Sequence, residues 1–133
     1  MGETSRRLGI RAENIRKSWS VPYYYSCERP SQADRFLASI PKLVERMADC
    51  AVLLYQAGAD PHVDDPLGGW LTTEQLRERD RRVFEAARGA GVPVAWNLAG
   101  GYQTPLRNVL DIHDHTLIEC AEVYLRGISD DGK

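Results

Sequence analysis

Cysteine and histidine are scarce in this chain of 133 residues, and neither is arranged for chemistry of its own. The cysteines, Cys27, Cys50 and Cys120, are odd in number and far apart, which argues against a disulfide framework. No CxxC pair is present to suggest a structural zinc site. Cys50 and Cys120 read as small buried thiols. The histidines, His62, His113 and His115, include no adjacent pair. No apolar run approaches the roughly 20 residues of a membrane helix. Met1 to Arg7 lacks the apolar stretch of a signal peptide, so a cytoplasmic protein is expected. The formal charge of −2 gives no pull toward nucleic acid or an anionic membrane, and neither is expected as a partner.

With 43% hydrophobic and 27% charged residues, the chain has the make-up of one globular domain. It divides near residue 30. Residues 1–30 show no lasting periodicity, hold the basic cluster Arg6, Arg7, Arg11, Arg16 and Lys17, and stay unassigned. Tyr23-Tyr24-Tyr25 within them suits either a short strand or an ordered loop.

Signals sharpen over residues 31–133. Phe36, Leu37, Ile40, Leu43, Val44 and Met47 recur at helical spacing, with Pro41 predicting a kink or a restart. Ala51 to Tyr55 is a continuous apolar run that suits a strand buried on both faces of a parallel sheet. Gly58 to Trp70, rich in Gly, Pro and Asp, reads as loop. Thr72 and Gln75 form a possible capping box for a helix through Leu76, Val83, Phe84 and Ala87, ending near Gly89 and Gly91. Val92 to Leu98 is a second strand, closed by Gly100-Gly101. Thr104 and Pro105 then open a last helix that ends at Gly127. Its buried face is expected to carry Leu106, Val109, Leu110, His113, Leu117, Cys120, Ala121 and Tyr124, with His115 off that face and solvated.

Strand, helix, strand is a βαβ unit, and its right-handed crossover makes strands 51–57 and 92–98 parallel. Ligands of such sheets bind beyond the carboxyl ends of the strands. If the two strands are adjacent, the loops after them bring Asp60 and Tyr102 to one rim. A carboxylate there can hold a metal, and a phenol can hydrogen-bond a developing oxyanion. Asp-Pro and Gly-Gly pairs are also ordinary turn punctuation, so composition alone leaves the bland reading open. A sheet of so few strands leaves edges unpaired, as if part of something larger.

The combination Gly58-Ala59-Asp60, Asp65-Pro66-Leu67-Gly68, Leu71-Thr72, Arg79-Asp80, Pro93 and Leu98-Ala99-Gly100-Gly101-Tyr102 resembles the late signature of the histone deacetylase and acetylpolyamine amidohydrolase family, over roughly residues 31–126. That resemblance implies the C-terminal part of a three-layer α/β/α parallel sheet of the arginase–deacetylase type. It implies a zinc held by two aspartates and one histidine, with Asp60 as the second aspartate ligand. Tyr102 would be the tyrosine that polarises the acyl carbonyl of an acetylated amine or lysine substrate. Gly100 and Gly101 would let the backbone approach the substrate cleft and aim Tyr102. Asp65 would correspond to a loop carboxylate with a structural role.

The family's tandem His-His and its separate Asp-x-His metal pair are missing. Asp60-Pro61-His62 imitates the second, but His62 falls at a variable loop position, and His113 reads as a packed histidine. Catalytic zinc needs three protein ligands, so the chain alone is expected to be inactive. Three readings follow. The first is a partial zinc deacetylase that needs a separate N-terminal half. The second is a non-catalytic remnant that binds partners, or itself, through an open sheet edge. The third, ranked last, is a magnesium or manganese hydrolase built on Asp60, His62, Asp64 and Asp65.

Overall fold

The computed structural model describes residues 29–126, and the aromatic run and early basic cluster lie outside them. A short 3-10 turn, Pro30–Gln32, leads into α1 (Ala33–Glu45), followed by β1 (Leu53–Gly58), α2 (Thr73–Ala90), β2 (Val94–Ala99) and α3 (Leu106–Leu125). The fold is α/β, and β1 and β2 pair in parallel from Leu53 opposite Val94 to Gly58 opposite Ala99.

α1 buries Ala33, Leu37, Ile40 and Val44 at spacings of three and four. The helix runs unbroken through Pro41. Proline cannot donate to the carbonyl four residues back, and that carbonyl, Leu37 O, instead accepts Arg82 Nη1 from α2 at 3.1 Å. The expected interruption is thereby absorbed across the helix pair.

α2 is closed at both ends. The Thr72 hydroxyl accepts Gln75 N–H at 3.2 Å, and Gln75 Oε1 accepts Thr72 N–H at 3.0 Å. Gly91 takes the left-handed conformation that ends the helix, at φ +70°. α2 packs against α1 on one side and α3 on the other. Its Phe84, fully buried, meets Tyr55, Trp96 and Tyr124 edge-on, at ring centroid distances of 5.8, 6.1 and 6.3 Å.

Two expectations are corrected. β1 is not buried on both faces. Leu53 and Ala57 face the helices, whereas Leu54 is 77% exposed and its neighbours on that face, Gln56, Ala95 and Asn97, are exposed too. No helix covers that side among the described residues, so the expected third layer is not seen in them. α3 also turns a different face inward. Pro105 caps it without a side-chain hydrogen bond from Thr104, and the helix begins at Leu106. Val109, Ile112, His113, Thr116, Glu119 and Val123 are buried, while Leu106, Leu110 and Leu117 stay exposed. The reason lies in α2, whose charged residues recruit Thr116 and Glu119 as partners. No helix among the described residues is long and apolar enough to cross a membrane.

Candidate functional site at the carboxyl rim

The parallel pairing delivers both strands' C-terminal loops to one rim. The ladder continues one step past β1, with Ala59 N–H donating to Ala99 O at 2.9 Å. Asp60 and Gly100 therefore emerge side by side. A Cβ on Gly100 would lie 1.9 Å from Asp60 Oδ1, and one on Gly58 would lie 2.8 Å from the same oxygen. Only glycine leaves that carboxylate its place. Gly100 and Gly101 have φ of +59° and +104°, which other residues rarely adopt. A Cβ on Gly101 would also stand 2.4 Å from Val109 Cγ1 and 3.0 Å from Ala59 Cβ. The segment carrying Tyr102 is thus seated directly on the start of the Asp60 loop and on α3.

The loop from Asp60 to Trp70 is folded tightly on itself. Pro61 O accepts both Trp70 N–H and Leu71 N–H at 2.8 Å, and Val63 N–H donates to Leu71 O at 2.9 Å. Within it Asp65 is 4% exposed. One of its oxygens accepts Leu67 N–H at 3.0 Å and the other accepts Tyr102 N–H at 2.8 Å. Asp65 therefore binds the two rim loops to each other. The Tyr102 side chain is exposed at the rim.

His62 is buried and both its nitrogens are engaged. Asp64 N–H donates to Nδ1 at 3.1 Å, which leaves the proton on Nε2, facing Thr73 Oγ1 at 3.0 Å. His62, Asp64, Thr73, Gln103, Asn108, Asp111, Ile112 and His115 line a cavity of about 400 Å³ beside the rim. His115 thus sits half-buried in a cavity wall and is not free in solvent as its sequence position suggests; its Nδ1 is buried without a partner. His113 is buried on α3, as expected of a packed residue.

The residues present do not make up a zinc site. With His62 bonded through both nitrogens and Asp65 through both oxygens, Asp60 stands alone, and no group of three metal-ligating side chains converges among the described residues. The same engagements leave the four-residue magnesium or manganese set without a common centre.

The sequence reading gave no role to a buried polar network beneath the rim. Asp80, 1% exposed, accepts the Tyr55 hydroxyl, Arg79 Nε at 2.8 Å and the Thr116 hydroxyl at 2.6 Å. Arg79 Nη1 then reaches Gly58 O, the end of β1, at 2.7 Å. Burial pushes the Tyr55 phenol far above its ordinary value; Arg79 opposes the shift and Asp80 adds to it. A signal was present: Asp80 falls on the helical stripe with Leu76, Val83, Phe84 and Ala87, where a charge needs a partner. A second cluster joins α2 to α3. Glu119, fully buried, accepts Arg77 Nη2 at 2.8 Å and Arg81 Nε at 2.9 Å. Burial alone would raise its carboxyl, but the hydrogen bonds from Arg81 and Arg77 outweigh that and hold it below the usual range.

Comparison with known proteins adds a likeness to this geometry. Residues 8–117 match the model of the histone deacetylase domain, a stretch that begins within the segment left unassigned above. An uncharacterized protein of Picosynechococcus sp. is 35% identical over 71 residues, covering 53% of this chain and 23% of that relative. No solved structure matches.

Proposed function

Since the chain belongs to the histone deacetylase family, we propose that it forms the carboxyl-terminal part of a zinc-dependent deacetylase that hydrolyses an acetyl-amide of lysine or a polyamine, in the cytoplasm. The observation that carries this reading is the arrangement at the rim. Asp60 and Tyr102 leave neighbouring parallel strands at the same end, and Gly58 and Gly100, each two residues ahead of one of them, lie against the Asp60 carboxylate.

The chain's own contribution would be twofold. The Asp60 carboxylate, which no other described side chain engages, would be one metal ligand. The exposed Tyr102 hydroxyl would donate to the acyl oxygen as negative charge builds on it, with Gly100 and Gly101 holding the backbone close enough to the cleft for that reach. Zinc, when bound, would polarise the amide carbonyl and acidify a water. Two more ligands and the proton-transfer histidines would have to come from a separate N-terminal half, because one aspartate cannot hold a catalytic zinc. The chain spans less than a quarter of the curated relative it matches, which accords with a part of a larger catalytic unit.

The test is acetate release from an acetyl-lysine peptide with zinc. The purified chain should show no activity above a Tyr102→Phe control. Adding a segment with the His-His and Asp-x-His pairs should create activity that both Asp60→Ala and Tyr102→Phe abolish. Zinc-dependent turnover by the chain alone, or reconstituted turnover indifferent to both substitutions, would refute the assignment. A second reading, a non-catalytic module that associates through its sheet, is favoured by one observation: Leu54 stands 77% exposed on the face that no described helix covers. It predicts an oligomer in sedimentation that takes up no zinc.

A further inference from the structure

We propose that Asp65 is a positioning residue for Tyr102: its carboxylate clamps the Tyr102 backbone onto the Asp60 loop and so fixes the spacing between the two rim groups. The functional meaning of this clamp rests on the deacetylase reading, but the clamp itself does not. Asp65 has no exposed role. It is 4% exposed, and its two oxygens are each committed to one backbone amide, Leu67 in its own loop and Tyr102 across the rim. The first bond spans two residues and the second spans 37. The local bond closes a turn that the loop makes anyway. The distant one is a cross-tie further out along segments that are otherwise joined by the last ladder bond, Ala59 N–H to Ala99 O, and by glycine packing.

The requirement is for a carboxylate. An amide of the same shape has one acceptor oxygen, and its nitrogen would point a donor at a backbone donor. Asp65→Asn therefore cannot keep both bonds. The surviving oxygen stays with Leu67, two residues away, and Tyr102 is released. The left-handed glycines just before Tyr102 give the freed backbone room to swing, which would unfix the position of the phenol at the rim.

Amide hydrogen exchange on the full chain, followed residue by residue by NMR, tests this directly. In Asp65→Asn and Asp65→Ala the Tyr102 amide should exchange at least about tenfold faster, in line with losing a hydrogen bond to a charged acceptor. Amides in the centre of α2 and in β1 should change by less than about twofold. Tyr102→Phe should leave exchange at position 102 unaltered, because the clamp holds backbone and not ring. This separates the clamp from the catalytic assignment: loss of the deacetylase reading would leave these rates as they are. The inference is overturned if the Tyr102 amide is no faster in Asp65→Asn, or if α2 and β1 accelerate to the same degree, which would make Asp65 a fold-stability residue only. Should Asp65→Ala not fold, the near-isosteric Asp65→Asn decides alone.

Discussion

The rim and the open face of the sheet are built from the same two strands and could hardly differ more. At the rim, one buried carboxylate ties both loops together, and glycines allow backbone to sit against side chain at distances no Cβ would permit. On the open face, Leu54, Gln56, Ala95 and Asn97 meet nothing described. The polar cross-ties between the loops gather at the rim, and the face that would normally be covered in a parallel sheet has no helix over it among the described residues. The difference teaches that the described ties of the rim all come from α2, α3 and the loops themselves, on the side of the sheet that the helices cover.

That claim can be broken most severely at Asp80. Asp80→Ala would strand the Arg79 guanidinium, 6% exposed, without its counter-charge. A loss of about 3–5 kcal/mol is expected in urea unfolding, as for other buried pairs cut on one side. A loss under about 1 kcal/mol would mean the rim does not rest on this network. Glu119 sharpens the comparison by pH. Its carboxyl is held below the usual 4.5, so its stabilisation is complete above that value and fades as pH falls through the lower folded value. Thermal melts should show stability dropping below about pH 4.5. Glu119→Gln should flatten that drop while costing about 1–3 kcal/mol at neutral pH. The smallest effect belongs to the open face. Leu54→Lys should shift stability by no more than about 0.5 kcal/mol, while reducing any concentration-dependent association seen in sedimentation. A large destabilisation there would show that the face is covered after all.

Much of the fold was legible because its signals are local. The apolar runs, the capping box at Thr72 and Gln75, and Gly91 each act within a few residues, and the parallel pairing follows from the crossover. The face of α3 was not legible. Its apolar residues span a wider arc than the core covers, and the choice between them is made by Asp80, Arg77 and Arg81, which lie 36 to 42 residues away from their partners. Pro41 failed as a break for a related reason, since Arg82 satisfies the carbonyl that proline releases. At the site, the shared rim of Asp60 and Tyr102 could be reasoned from parallel strands. The engagement of His62 and the reach of Asp65 to Tyr102 needed coordinates, because both depend on how one loop folds back on itself.

The bond from Arg82 to Leu37 O has a mechanical consequence. An ordinary helix serves its own carbonyls and can slide along a neighbour with little polar penalty. α1 has handed one of its acceptors to α2, so the two helices are keyed at a single axial position. Displacing α1 by one turn would break that bond and leave Leu37 O to water, so the bond favours one axial setting of the pair by about 1 kcal/mol.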